Sequence, residues 1–109
     1  MATTYKVLGQ SAPGATTDTD IYTVPAATNV IISTIVVTNR GSSGAFFRLA
    51  IRPDGASLSN EHYLAYDVPI VATDATTLTL GITMDAGDVL TAYASSADLS
   101  FNVFGSEVS

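Results

Sequence analysis

The sequence predicts an all-β fold: an antiparallel β-sandwich of about eight strands, jelly-roll-like in arrangement. Three observations carry this. Apolar and polar residues alternate with a period of two in several segments, as a half-buried strand requires. Clusters of Gly, Pro, Ser, Asn and Asp separate those segments at the spacing expected of a sandwich or jelly roll. No stretch carries convincing helical periodicity.

Taken in order, residues 5–8 form the first candidate strand. Residues 10–20 hold no large apolar side chain, so residues 1–20 read as an N-terminal strand or an extended arm, ahead of a sandwich spanning residues 21–109 in a single domain overall. Strand candidates follow at 21–24, 30–37, 47–52, 63–66, 68–71, 77–84, 89–93 and 99–103. In the fourth, Phe47, Leu49 and Ile51 are expected to face inward, with Arg48 and Arg52 sharing an outward face. In 77–84, Leu78, Leu80, Ile82 and Met84 are expected on one side and threonines on the other. Residues 30–37 are apolar on both faces apart from Ser33 and Thr34. They therefore belong in the middle of a sheet or against a neighbouring subunit. Turn signals sit at Ala12-Pro13-Gly14, Pro25-Ala26-Ala27, residues 39–44, Pro53-Asp54-Gly55 and Asp85-Ala86-Gly87-Asp88. The longest loops, 9–20 and 53–61, have the composition of segments that reach a partner.

Composition narrows the function classes. Four Lys or Arg face ten Asp or Glu, a formal net charge of −6. That balance repels a phosphate backbone, and Arg40, Arg48 and Arg52 are too few for a basic groove, so no nucleic-acid partner is expected. No cysteine is present, hence no disulfide and no thiolate metal site. The N-terminal residues lack a basic segment followed by an apolar core, and runs of aliphatic residues do not exceed three, so neither a signal peptide nor a spanning helix is expected.

The residues needed for catalysis do not assemble. His62 is the single histidine, no Gly-x-Ser-x-Gly motif occurs, and no second histidine is present to complete a zinc site. Asp18-Thr19-Asp20 and Asp85-Ala86-Gly87-Asp88 do not match a calcium loop and read as turns. The sequence has no Trp to serve as a sugar platform. No enzyme activity, cofactor or metal is therefore expected. Candidate contact residues are Tyr5 and Val7 in the first segment, the arginines Arg40, Arg48 and Arg52, and Phe46. Phe46 lies opposite Phe47 and either meets another subunit or packs under a loop or a second sheet.

Over nearly its whole length the chain resembles a group of short proteins encoded among the structural genes of tailed phages, especially those of marine bacteria and cyanobacteria. The resemblance lies in Leu8-Gly9-Gln10-Ser11-Ala12-Pro13, Tyr22-Thr23-Val24-Pro25-Ala26 and Val36-Val37-Thr38-Asn39-Arg40. It continues in Phe47-Arg48-Leu49-Ala50-Ile51-Arg52-Pro53, Ala86-Gly87-Asp88-Val89 and Leu99-Ser100-Phe101-Asn102-Val103-Phe104-Gly105. These are strand ends and turns, so they specify a fold and not a reaction. The resemblance implies a β-sandwich virion component assembled in the host cytoplasm. The expected role is a head decoration or cement protein that contacts the major capsid protein or other virion proteins. Analogy with decoration proteins suggests a homotrimer. The alternatives are a tail, neck or fibre-associated protein of the same fold, or a glycan-binding module using Tyr63 and Tyr66.

Overall fold

Period-two alternation becomes nine strands in the computed structural model, which describes residues 2–109. They are β1 (Thr3–Ser11), β2 (Thr19–Thr23), β3 (Asn29–Asn39), β4 (Ala45–Arg52), β5 (Tyr63–Ile70), β6 (Ala75–Leu78), β7 (Ile82–Met84), β8 (Val89–Ala94) and β9 (Leu99–Val108). Two short 3₁₀ turns, Pro53–Gly55 and Asn60–His62, lie between β4 and β5. No helix among the described residues is long and apolar enough to cross a membrane.

All strand pairs are antiparallel. Sheet A has the order β1-β9-β3-β6, with β7 also on β3, and sheet B has the order β2-β8-β4-β5. Because β6 pairs with the second half of β3 and β7 with the first half, the two act as one interrupted edge strand. Counted so, four strands face four, and the chain changes sheet at every connection except β4 to β5. That alternation between two antiparallel sheets is the jelly-roll topology.

The core lies between the sheets. Val30, Ile32, Ile35, Val37, Leu99, Phe101 and Val103 of sheet A meet Phe47, Leu49, Leu90, Ala92 and Ala94 of sheet B, all buried. Phe47 and Phe101 meet edge to face with ring centroids 6.1 Å apart. Burying a side chain of this kind contributes roughly 1.5–3 kcal/mol before entropy is counted.

Strand β3 explains its own apolar excess. It runs centrally in sheet A between β9 and the β6/β7 edge, and its register with β9 shifts between Ile32 and Thr34. The bulge at Ser33 changes the inward set from Val30 and Ile32 to Ile35 and Val37, so each half buries its own alternate residues. Gly105 sits opposite, where a Cβ would collide with the Ile31 carbonyl oxygen.

Several expectations need correction. The segment 77–84 is not one strand: it breaks after Leu78, Gly81 adopts φ +64°, and Leu80 is turned out to solvent. An edge strand has one neighbour only, so a break there loses few ladder bonds, and Gly81 supplies the left-handed residue. The pieces 63–66 and 68–71 join as β5 through an irregular stretch, leaving Val71 exposed beyond its end. In β4, Ile51 pairs with Leu90 and packs against the core as expected, but alternation did not show that Ala50, on the outward side, is buried as well. Residues 3–11, read as strand or arm, form β1 on the edge of sheet A with Leu8 in the core, whereas Met1 lies outside the described residues.

Candidate docking surface

The outward side of sheet B carries a connected row of aromatic and charged groups. It originates in the irregularity of β5. Phe47 pairs with Val68 and Leu49 with Ala65, so Tyr66 and Asp67 together oppose the single residue Arg48. Asp67 adopts φ 51°, a left-handed conformation that Asp tolerates better than most residues. The extra backbone turns both side chains onto Arg48. Asp67 Oδ1 accepts a hydrogen bond from Arg48 Nε at 2.6 Å, and the Tyr66 ring lies 4.2 Å from the guanidinium carbon. On the other side Tyr93 of β8, directly opposite Arg48 in register, lies 4.3 Å from the same carbon.

The guanidinium is therefore held between two rings and a carboxylate, an arrangement in which cation–π attraction and a charge-assisted hydrogen bond act together. The hydrogen bond to Asp67 raises the Arg48 pKa further above its ordinary value. Among the described residues Arg48 donates through Nε alone, which leaves both terminal nitrogens free of protein partners. Phe46, two residues along β4, stacks on Tyr93 with centroids 6.4 Å apart, and Tyr63 meets Tyr66 edge to face at 4.9 Å. Tyr66 remains 56% exposed and Phe46 36%, so the row is ordered and still accessible.

The other arginines anticipated as contact residues spend more of their donors within the fold than Arg48 does. Arg52 donates to Thr91 Oγ1 (3.0 Å), the Gly55 and Ala56 carbonyls (3.2 and 2.9 Å) and Asp20 Oδ1 (2.9 Å). It straps the turn after β4 to β8 and β2. Arg40 donates to Ser100 Oγ (2.7 Å) and the Ala97 carbonyl (2.8 Å), tying the end of β3 to the start of β9. Arg48 and Arg52 do emerge on the same side of sheet B, yet Arg52 spends four of its five N–H donors within the fold and Arg48 one.

On sheet A, Tyr5 is 83% and Val7 46% exposed on the outward side of β1. With Ile31 and Phe104 they line a shallow groove of about 460 Å³. Tyr5 stands apart from the rings of sheet B, and its exposure comes from lying on an edge.

Sequence reading missed one polar bridge between the sheets. The Tyr22 hydroxyl of β2 donates to Glu107 Oε2 of β9 at 2.5 Å, and Lys6 Nζ of β1 lies 3.2 Å from Oε1. Burial, and next the Glu107 partner, push the Tyr22 hydroxyl well above its ordinary pKa. The Tyr22 hydrogen bond, with Lys6 beside it, holds the Glu107 carboxyl below its usual range. Their separation along the chain left no local signal; only the topology brings them together.

The remaining polar candidates organise turns. His62 Nδ1 accepts the Ser59 N–H at 3.1 Å. Asp88 accepts the Asp54 and Asp85 N–H groups, one on each carboxylate oxygen, at 2.8 Å each. Buried Asn39 donates to the Ser43 and Ile70 carbonyls at 2.9 and 3.2 Å and accepts from Gly41 N–H at 2.9 Å. Among the described residues no three potential metal-ligating side chains converge.

No family model matches the chain, and no curated protein matches it significantly in sequence.

Proposed function

We propose that this protein is a structural component of a tailed-phage particle, a head decoration or cement protein that docks through the outward side of sheet B. The observation that carries the docking surface is Arg48 clamped between Tyr66 and Tyr93 with its terminal nitrogens unspent. Arg and Tyr supply a large share of the energy at protein interfaces when they are central and already ordered. Here ordering precedes binding, so little side-chain entropy remains to be lost. The terminal nitrogens of Arg48 suit a carboxylate or a row of backbone carbonyls on the capsid protein, and Phe46 and Tyr66 supply apolar contact area beside them. The virion assignment is supported by the family resemblance and by the jelly-roll frame, whose loops are pinned at both ends. At one end Arg40 N–H bonds the Asp98 carbonyl and Thr73 N–H the Gly41 carbonyl; at the other, Val24 N–H bonds the Asp88 carbonyl.

The same row weighs against a glycan-binding module. A stacked sugar competes there with the protein's own contacts: Arg48 covers one face of Tyr66, and Tyr63 meets that ring edge to face. A tail, neck or fibre-associated position uses the same surface and differs in where it docks.

Co-sedimentation with particles that lack the protein tests the reading. Wild-type chain is expected to bind heads at saturating stoichiometry. Arg48→Ala and Tyr66→Ala should each weaken binding roughly tenfold or more while remaining folded. Binding confined to tails would select the tail-associated alternative. Failure to bind any particle, or binding indifferent to both substitutions, would sink the proposed surface.

A further inference from the structure

A jelly roll opened along its sides has four sheet edges, and three of them are guarded. The β6/β7 edge is broken between Leu78 and Ile82, and β5 carries Pro69 and the Asp67 irregularity. The short β2 shifts register after Asp20. Such breaks, prolines and bulges are the usual means of keeping an edge from pairing with another chain. The first half of β1 has none of them. Its register with β9 is unbroken from Thr3 to Val7 and contains no proline.

The hydrogen-bond phase of this stretch is fixed by its start. Ala2 and Ser109 exchange both backbone bonds, at 2.7 and 2.9 Å. Alternation along an antiparallel ladder then directs Thr4 and Lys6 toward β9, and directs the N–H and C=O groups of Thr3, Tyr5 and Val7 outward from the sheet. The free run ends at Gly9, where the β2 backbone closes over β1 so tightly that a Cβ would collide with the Ile21 carbonyl oxygen.

We infer that this edge pairs with the same edge of a second copy, antiparallel about a two-fold axis through Tyr5. Tyr5 opposes the partner's Tyr5, and Thr3 opposes the partner's Val7. Every outward N–H and C=O of this stretch then finds a partner, and sheet A continues across the axis. The register is self-complementary, as a two-fold contact demands.

Charge favours this edge over other surfaces of an acidic chain. Of the ten carboxylates only Glu107 lies on β1 or its neighbour β9, and it is matched by Lys6, the single lysine. Two copies of net charge −6 can therefore approach here without opposing acids. The paired Tyr5 rings, with Val7, Ile31 and Phe104 beside them, would carry the outward apolar groove of sheet A across the axis. This inference goes beyond the virion assignment and does not depend on it. It also differs from the three-fold state suggested by analogy with decoration proteins.

Analytical ultracentrifugation from micromolar to millimolar concentration tests it. Wild-type chain is expected to show a monomer–dimer equilibrium. Tyr5→Glu places two carboxylates opposite each other at the axis and Tyr5→Lys places two ammonium groups there, so each variant alone should be monomeric, with the melting temperature of wild type measured at dilutions where wild type is itself monomeric. An equimolar mixture of the two should recover the dimer, which fixes the register as well as the edge. In wild type, amide exchange of Tyr5 and Val7 should slow with rising concentration while that of Lys6 stays constant. A wild-type monomer throughout the range, a trimer, or a dimer that survives Tyr5→Glu would each overturn the inference.

Discussion

The two outward sides of this sandwich handle aromatic residues in opposite ways. On sheet B, Phe46, Tyr93, Arg48 and Tyr66 are in contact with one another, and Asp67 anchors the guanidinium. On sheet A, Tyr5 is the most exposed large hydrophobic residue among the described residues and makes no ring contact with those of sheet B. Both surfaces arise from the same alternation of inward and outward side chains. The difference comes from the backbone: β5 doubles two residues against Arg48, whereas β1 runs in plain register until Val7. Exposure alone therefore says little about how a residue binds. The sheet B row offers preordered side chains, and the β1 edge offers unpaired backbone.

Contrast within β1 should give the largest effect. Gly9 faces the Ile21 carbonyl, so Gly9→Val forces β1 and β2 apart and should cost about 3 kcal/mol in denaturant unfolding. Val7→Ala, two residues away on the open stretch, should change stability by ~0.5 kcal/mol or less in the monomer. Equal effects would mean that β1 is not divided into a covered and an open half.

A smaller effect separates the two tyrosine surfaces. Arg48→Ala removes the group held between two rings and should lower the melting temperature by several degrees, while Tyr5→Ala leaves it within error. Arg48→Lys should recover only part of the loss, because an ammonium lacks the planar face that stacks on both rings. Full recovery by lysine would show that charge alone, without stacking, holds the row.

The smallest effect belongs to the bridge that joins the sheets beside the open edge. The folded Glu107 carboxyl is held below its ordinary value of 4.5 by Tyr22 and Lys6. Its contribution to stability is therefore complete above that value and is lost as pH falls through the lower, folded-state pKa. Glu107→Gln should flatten this acid limb in thermal melts recorded across the range. An unchanged limb would assign acid sensitivity to other carboxylates.

Much of the fold was legible in the sequence because strands and turns announce themselves locally. The alternation in 47–52 and 99–103 placed Phe47, Leu49, Phe101 and Val103 inside, where they lie. The both-faced apolar run of β3 was legible as a central strand or a face against a neighbouring subunit, and the fold shows it central; its bulge was not legible, since Ser33 reads as an ordinary polar interruption. Leu80 was misplaced because period two assumes an unbroken strand and Gly81 breaks it. Phe46 and Arg48 stood out from the sequence as contact candidates. Their partners did not: Asp67 acts through a left-handed backbone, and Tyr93 comes from a strand paired only in the folded sheet. Arg40 and Arg52 looked equally available because charge is visible in a sequence and the carbonyls that absorb it are not.

The most direct test of the central claim is a cryo-electron reconstruction of the tailed-phage particle proposed to carry this chain. Jelly-roll density is expected at repeated positions on the head, with Phe46, Arg48 and Tyr66 turned toward the shell and buried against it. Density with sheet B facing solvent, or intact particles that lack the chain altogether, would contradict it.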